Sequence, residues 1–223
     1  MISTVIFDLD GLLADTEPLH CRAYQLAFGE RGVALDAGEY YQHWVQHGHG
    51  IVDWVTWHNL NLDPQALRLS KSEHYLTLLE SSLQPMDGAL ELLAGLKGKL
   101  RVALASSSYR DAIDGVLAGL KIAQYFETIV SGQDVAKVKP APDIFLHTAD
   151  RLAVAPSECV VLEDAEKGVI GAQLAGMRSI AVPNEFTRHH DFSKATRVCA
   201  SLREVNLDLL RSLAPAMDEK HLP

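Results

Sequence analysis

The sequence has few cysteines, no long apolar run and no excess of positive charge. Its three cysteines lie far apart among 223 residues and form no C-x-x-C pair, which argues against a disulfide framework or a zinc knuckle. Every apolar run is much shorter than the roughly 18 residues that a membrane-spanning helix needs. The 20 basic residues are outnumbered by 29 acidic ones, for a net charge of −9. We therefore expect neither a nucleic acid nor a membrane as a partner, because both bind basic surfaces.

The residues that are present make an ordinary globular composition. Apolar residues account for 48% of the chain and charged residues for 22%, which excludes a disordered or collagen-like protein. The N-terminal segment carries Asp8 and Asp10 where a signal peptide would need an apolar stretch. We therefore expect a cytoplasmic location.

Short runs rich in valine, isoleucine and leucine recur along the chain, at residues 5–7, 100–105, 128–130, 160–162 and 179–182. Segments with helical spacing lie between most of these runs, at residues 112–120, 143–152 and 169–175. Buried strands that alternate with helices predict an α/β fold, a Rossmann-like parallel sheet covered on both faces. In such a sheet ligands bind beyond the carboxyl ends of the strands, and we look for chemistry there.

One long interval, residues 16–82, contains helical patterns and no convincing strand, with candidate helices at 19–28, 40–46, 51–60 and 64–79. It is too long for a single crossover connection. We therefore predict an all-helical cap domain at 16–82, inserted into a core formed by 1–15 and 83–223. Hinges are expected near 14–17 and 81–87. A self-contained core and cap suit a monomer.

Paired acidic residues follow two of the predicted strands. Asp8 and Asp10 come after the first strand, and Glu163 and Asp164 follow the strand at 160–162. Residues two apart on an extended chain point to the same side, so we expect the carboxylates of Asp8 and Asp10 to leave the strand together. Buried carboxylates at neighbouring strand ends form a cage of hard oxygen ligands, which favours Mg²⁺ over zinc.

Hydroxyl and lysine side chains complete this set. Ser106, Ser107 and Ser108 follow the strand at 100–105, and hydroxyls with backbone N–H groups at a helix start suit an anion. Lys139 supplies a positive charge, and we prefer it to Lys137 because Pro140 follows it. Carboxylates, a metal, a hydroxyl and a lysine are the parts of a phosphoryl-transfer site.

These motifs resemble those of a known family. In their order along the chain, Asp8-Leu9-Asp10-Gly11, Ser106, Lys139-Pro140 and Glu163-Asp164 are similar to the four motifs of the haloacid dehalogenase superfamily of phosphotransferases. The stretches DLDGLLADTEPLH, KPAPDIF, EDAEKG, AGM and VPNEFT resemble its β-phosphoglucomutase-like branch. The resemblance covers nearly the whole chain and implies that the helical insertion is a mobile cap.

The resemblance also implies a role for each motif residue. Asp8 would be the nucleophile, and Asp10 the general acid and base. Ser106 and Lys139 would hold the transferring phosphoryl group. Mg²⁺ would be bound by the side chains of Asp8 and Asp164 and the backbone carbonyl of Asp10. Glu163 would bind the metal directly or support its other ligands. The sequence departs from the family pattern at Val138, where glycine is usual, and at Ala165, where serine is usual.

The predicted cap contains an unusual cluster of histidine and tryptophan. All three tryptophans and four of the ten histidines lie between positions 43 and 58. They form either the core of the cap or a substrate pocket, and His43 and His47, four residues apart, are a weak candidate metal pair. As substrate-binding candidates we select Ser107 and, in or beside the cap, His20, His47, His49 and Trp54.

From these residues we expect a Mg²⁺-dependent phosphatase that acts on a small phosphorylated metabolite, such as a sugar phosphate, through an aspartyl-phosphate. The alternative is a mutase of the β-phosphoglucomutase type. The absence of arginine between Gly32 and Gln65 disfavours it, because the mutase cap usually carries one for a second phosphate. A signalling receiver domain and an inactive phosphate-binding regulator belong to a different class. The chain's length, its cap and the acid two residues beyond Asp8 argue against a receiver, and the intact set of Asp8, Asp10, Lys139 and Asp164 argues against an inactive regulator.

Overall fold

A single parallel sheet organises the computed structural model, which describes residues 1–213. Its six strands in the described chain are β1 Thr4–Phe7, β2 Arg101–Ala105, β3 Thr128–Val130, β4 Cys159–Glu163, β5 Arg178–Ala181 and β6 Arg197–Val198. They are arranged in the order β3-β2-β1-β4-β5-β6, and every neighbouring pair is parallel. Phe7 at the end of β1 pairs with Leu104 and with Leu162. The carboxyl ends of β1, β2 and β4 therefore meet at one edge of the sheet.

The helices of the described residues are α1 Glu17–Gly29, α2 Ala37–Tyr40, α3 Ile51–Trp57, α4 Pro64–Ser82, α5 Ala89–Leu96, α6 Arg110–Leu120, α7 Asp143–Leu152, α8 Glu166–Leu174 and α9 Leu207–Ser212. A π-helical stretch, Tyr41–Gln46, continues directly from α2. The five predicted strands and the predicted helices are confirmed within a few residues. The sequence analysis did not identify β6, α5 or α9. Within residues 1–213, no helix has both the length and the apolar character that crossing a bilayer requires.

Both faces of the sheet are covered, so its strands are apolar on both sides. Phe7 packs on one face with side chains of α5, α6 and α9, whereas its neighbour Ile6 packs on the other face with side chains of α7 and α8. Each strand residue from Val5 to Phe7 is fully buried. This two-sided burial explains why the strands are continuous apolar runs rather than alternating patterns.

The insertion between β1 and β2 is helical, as predicted, and has an apolar core of its own. Phe28, Trp54 and Leu67, from α1, α3 and α4, pack together there. The two chain segments that connect the insertion to the sheet lie side by side. The Asp15 amide donates to the Gln84 carbonyl at 2.9 Å, and the Met86 amide to the Leu13 carbonyl at 3.0 Å.

The division of the chain at residues 15/16 and 82/83 stays a prediction. The part of the predicted core that falls on residues 214–223 lies outside the described residues.

Candidate active site

Lys139 lies at the centre of a buried ionic cluster at the carboxyl ends of β1 and β4. Its ammonium group donates hydrogen bonds to Asp8 Oδ1, to Glu163 Oε1 at 2.6 Å and to the Ala105 carbonyl at 2.8 Å. Lys139 is 6% exposed, whereas Lys137 is exposed. The structure therefore places Lys139, rather than Lys137, against two of the acidic side chains, and the phosphoryl-binding role of Lys139 stays a prediction.

Burial of several carboxylates in one place disturbs their ionisation. Burial raises the pKa of Asp8 above its ordinary value, and Lys139 opposes this rise while Glu163 adds to it. Burial likewise raises the pKa of Asp164, with further contributions from Glu163 and Asp8. For Lys139, burial would lower the pKa, but the charges of Asp8 and Glu163 outweigh it and raise the pKa. One lysine faces three acidic groups, so the cluster is short of positive charge.

A bound divalent cation would supply the positive charge that the cluster lacks. Asp8, Glu163 and Asp164 each offer a carboxylate oxygen, and these three atoms lie within 4.8 Å of one another. Hard oxygen ligands of this kind suit Mg²⁺. Glu163 also accepts hydrogen bonds from Lys139 and from the Ala165 amide, so its direct or supporting role stays open. The side chain of Asp10 does not belong to this group of three, and its predicted contribution is restricted to its backbone carbonyl.

Asp10 instead lies in a separate network of hydroxyl and imidazole donors. Thr16 donates to Oδ1 at 2.7 Å, Ser108 donates to Oδ2 at 2.6 Å, and Ser106 donates to Oδ2 at 3.3 Å. His20 Nε2 lies 3.2 Å from Oδ1. Burial alone would raise the pKa of Asp10, but the hydrogen bonds from His20, Ser108 and Thr16 outweigh it and hold the pKa below its usual range.

The expectation that the carboxylates of Asp8 and Asp10 leave the strand together is therefore corrected. Both residues line one cleft, but β1 ends at Phe7 and the chain turns at Gly11, where φ is +79°. The two carboxylates bind different partners as a result. Ser106, predicted to hold a phosphoryl group, donates to Asp10 in this structure.

His20 connects Asp10 to a half-buried lysine of the cap. Lys71 Nζ donates to His20 Nδ1 at 2.7 Å, which leaves the proton of the neutral ring on Nε2, where it is donated to Asp10. The imidazole stacks on Tyr75 with ring centroids 4.1 Å apart. His20, selected as a substrate-binding residue, thus has a partner on each ring nitrogen and orients Asp10.

Two glycines allow the acidic side chains to approach the backbone. A Cβ atom at Gly168 would overlap the Glu163 carboxylate, and one at Gly11 would lie 2.6 Å from Asp164 Oδ2. Asn184, in the loop after β5, donates to Asp164 Oδ2 at 2.9 Å and to the Gly11 carbonyl at 3.0 Å. The asparagine orients Asp164 and fixes the turn that follows Asp10.

The site contains four residues that the sequence analysis did not select: Thr16, Lys71, Ser108 and Asn184. For Thr16 and Asn184 there was a signal, because both lie in stretches that carry the family resemblance. Ser108 was noted only as part of a hydroxyl-rich turn. Lys71 lies in the middle of α4 and had no distinguishing signal.

The cap supplies the opposite wall of the cleft. The side chains of Tyr24, Tyr40 and Trp44 line it together with His49. Ser107 lines the core side of the cleft, so two of the substrate-binding candidates, His49 and Ser107, lie at the cleft. His47 is exposed and is not part of the lining. The cleft has a volume of about 290 Å³, which suits a small metabolite.

The selection of Trp54 for substrate binding is corrected by the structure. Trp54 is 5% exposed and packs in the cap core, stacked on His58 with centroids 3.9 Å apart. Trp44 takes the position at the cleft, whereas Trp57 is 57% exposed. His43 is buried beside these rings, with Nε2 2.9 Å from the Gly50 carbonyl. In residues 1–213 no metal-binding group of three includes a histidine of this cluster.

Comparisons with known proteins indicate the family of the chain. A family model described as haloacid dehalogenase-like hydrolase matches residues 2–176. The chain is similar to the fructose-1-phosphate phosphatase YqaB of Escherichia coli, with 32% identity over 187 residues that make up 80% of this chain and 95% of YqaB. It is also similar to the protein CbbY of Rhodobacter capsulatus, with 30% identity over 206 residues that make up 87% of this chain and 91% of CbbY.

Solved structures show the same fold. CbbY of Rhodobacter sphaeroides in complex with phosphate matches with a TM-score of 0.87 and 29% identity, over 95% of this chain and 100% of that chain. The β-phosphoglucomutase of Clostridium difficile matches with a TM-score of 0.80 and 26% identity, over 95% of this chain and 96% of that chain. Since the family model and these relatives cover most of its length, the chain belongs to the haloacid dehalogenase-like hydrolases, as an enzyme of their phosphatase branch.

Proposed function

We propose that this enzyme is a Mg²⁺-dependent phosphatase, which hydrolyses the monoester of a small phosphorylated metabolite through an aspartyl-phosphate on Asp8. The observation that carries the proposal is the separation of the two aspartates within one cleft. Asp8 lies in the buried ionic cluster with Lys139, Glu163 and Asp164, whose carboxylates can bind a cation. Asp10 lies among proton donors on the side of the cap.

The separation suits two different tasks. In the first step an oxygen of Asp8 attacks phosphorus, the bond from phosphorus to the leaving oxygen breaks, and Asp10 gives that oxygen a proton. In the second step a water attacks phosphorus, Asp10 takes its proton, and the bond from phosphorus to Asp8 breaks. Phosphate, the free carboxylate of Asp8 and the reprotonated Asp10 remain, so atoms and protons balance.

Asp10 must be protonated for the first step and ionised for the second. The hydrogen bonds of Asp10 favour its ionised form in this structure, which is the form that the second step needs. A phosphoryl group placed beside Asp10 raises its pKa by like-charge repulsion and favours the protonated form for the first step.

The charge of the reacting groups requires compensation. A carboxylate attacking a phosphate meets electrostatic repulsion, which Lys139 reduces from its position on Asp8. Mg²⁺, held by Asp8, Asp164 and the Asp10 carbonyl with Glu163 beside them, would supply the remaining positive charge. Asn184 orients Asp164 for this purpose.

A mutase is the second candidate, favoured by the match to the β-phosphoglucomutase of Clostridium difficile. The relative YqaB, by its name, is a phosphatase of fructose 1-phosphate. CbbY of Rhodobacter sphaeroides has been solved, as a variant, with xylulose-(1,5)bisphosphate. These relatives favour a sugar phosphate as the substrate class for the chain.

The experiment is a phosphate-release assay on sugar phosphates, nucleotides and small phosphoesters, with Mg²⁺ and with a chelator. We expect metal-dependent release by the wild type and none by Asp8→Asn. β-Glucose 1-phosphate is followed for isomerisation as well. Isomerisation without release would replace the phosphatase by the mutase, and release by Asp8→Asn would refute the nucleophile.

A further inference from the structure

The cap wall of the cleft carries an acidic side chain that the phosphoryl-transfer chemistry does not use. Glu17 begins α1 and lines the cleft. Tyr40 donates a hydrogen bond to its Oε2 at 2.9 Å. No ion pair among residues 1–213 includes Glu17. A carboxylate at this place keeps acceptor capacity, because each of its oxygens has more than one lone pair.

Glu17 is located beside the leaving group of the proposed reaction. It precedes His20 by three residues on α1, so both side chains lie on the same face of that helix. His20 binds Asp10, which protonates the leaving oxygen in the proposed mechanism. The part of the substrate attached to that oxygen therefore lies within reach of Glu17.

The groups around Glu17 suit an uncharged polar ligand. Lys71 lines the same wall, where its ammonium group binds His20 and lies 5.2 Å from the ring centroid of Tyr24. A second phosphate on the substrate would be repelled by Glu17 but attracted by Lys71, and the reverse holds for a substrate ammonium group, so the pair favours neither charge. Hydroxyl groups are accepted by both, because they donate to a carboxylate and accept from an ammonium group.

Three aromatic rings adjoin this pair of charges. The centroid of Trp44 lies 4.6 Å from that of Tyr24 and 5.3 Å from that of Tyr40. All three rings line the cleft. The electron-rich face of an aromatic ring attracts the polarised C–H groups of a carbohydrate, while hydroxyl groups on the same carbons reach Glu17.

We propose that Glu17 is a specificity-determining residue that accepts hydrogen bonds from hydroxyl groups of the leaving group. The preferred substrate class is then a polyhydroxylated monophosphate, a sugar or polyol phosphate with no second charged group. This inference rests on the proposed phosphatase function and goes beyond it by selecting monophosphates over bisphosphates.

The test compares two substrates of equal carbon number, sorbitol 6-phosphate and hexyl phosphate. The readout is the ratio of their kcat/KM values, with fructose 1,6-bisphosphate and phosphoethanolamine as charged alternatives. The variant is Glu17→Gln, which keeps the size of the side chain, and Glu73→Gln on the exposed face of α4 is the matched control. We expect the ratio to favour sorbitol 6-phosphate in the wild type and in the control, and to fall about tenfold to a hundredfold in Glu17→Gln.

A ratio unaffected by Glu17→Gln would overturn the inference, and so would a wild-type preference for the bisphosphate or for phosphoethanolamine. A binding measurement separates this inference from the phosphatase proposal. In the Asp8→Asn background, Glu17→Gln should weaken binding of sorbitol 6-phosphate and leave binding of inorganic phosphate unchanged. If the wild type releases phosphate from none of the tested substrates, the phosphatase proposal fails. The binding measurement in the Asp8→Asn background still decides the role of Glu17.

Discussion

Ser72 on the cap helix α4 donates a 2.6 Å hydrogen bond to Asp111 in the first turn of the core helix α6. Arg68, one turn earlier on α4, lies 3.9 Å from the same carboxylate oxygen and stacks over Tyr109. These contacts join cap and core through α4 and α6. They hold the cap against the mouth of the cleft.

A second contact joins cap and core on the other side of β1. Tyr41, in the π-helical stretch, stacks on Phe186 in the loop after β5, with centroids 4.7 Å apart and the ring planes 12° from parallel. Cap and core are therefore in contact through polar side chains on one side and through two aromatic rings on the other.

Replacing Asp111 by alanine should favour an open cap. The substitution removes the hydrogen-bond acceptor of Ser72 and the ion-pair partner of Arg68. These two exposed interactions together stabilise the contact between cap and core by about 1 kcal/mol. We expect faster hydrogen–deuterium exchange at residues 106–109, which line the cleft beneath the cap, and a raised KM. Asp114→Ala is the control, because the partner of Asp114 is Arg110 within the same helix. Equal exchange in both variants would show that the polar contact does not hold the cap.

Replacing Asp8 by asparagine should separate activity from stability. Loss of the nucleophile should lower turnover at least about a thousandfold. Burial together with Glu163 raises the pKa of Asp8, so ionised Asp8 destabilises the metal-free fold, and the neutral amide should leave the urea midpoint unchanged or higher. Asp36→Asn, the same exchange at the exposed N-cap of α2, should change neither property. A markedly lower midpoint for Asp8→Asn would contradict this account of the cluster.

The sheet and the catalytic motifs were predictable because their signals are local. Apolar runs buried on both faces mark β1 and β4, and the acidic pairs follow them directly in sequence. β6 was missed because it has two residues, and both Arg197 and Val198 are exposed. A strand of this kind is formed by pairing with β5 and has no apolar pattern of its own.

The rest of the site depends on contacts between distant segments. Lys71 meets His20 across 51 positions of sequence, and nothing near Lys71 distinguishes it from a surface lysine of an amphipathic helix. The tryptophans show a related limit. Helical spacing puts Trp54 and Trp57 on one face of a helix but does not tell which ring faces the cap core, and Trp44 lies at the cleft instead.

Replacing Asn184 by alanine should weaken metal binding. Its amide orients Asp164 and fixes the Gly11 carbonyl, and loss of such supporting hydrogen bonds typically costs about 10- to 100-fold in metal affinity. The measurement is the Mg²⁺ concentration that gives half-maximal phosphate release. Asn206→Ala removes the N-cap of α9, away from the cleft, and controls for a general loss of stability. If both variants need the same Mg²⁺ concentration, Asn184 has no part in the metal site.

The contribution of Lys71 to the free energy of unfolding should increase with pH in the alkaline range. Burial lowers the pKa of Lys71 to about 8, although the charge of Asp10 opposes this shift. In the unfolded chain the pKa of a lysine is about 10.4. Between these values the unfolded state binds more protons than the folded state, so the free energy of unfolding rises with pH. Below pH 8 the lysine is charged in both states and its slope disappears.

The measurement is the free energy of unfolding in urea at pH 7 and pH 10, for the wild type and for Lys71→Met. Methionine keeps an unbranched apolar side chain beside Tyr75 but cannot titrate. The difference in stability between wild type and variant should shift in favour of the wild type as the pH rises, because only the wild type releases a proton more readily when folded. A wild-type advantage that is constant or shrinks toward pH 10 would show that Lys71 retains its charge in the folded protein through the ionic surroundings of Asp10 and Glu17.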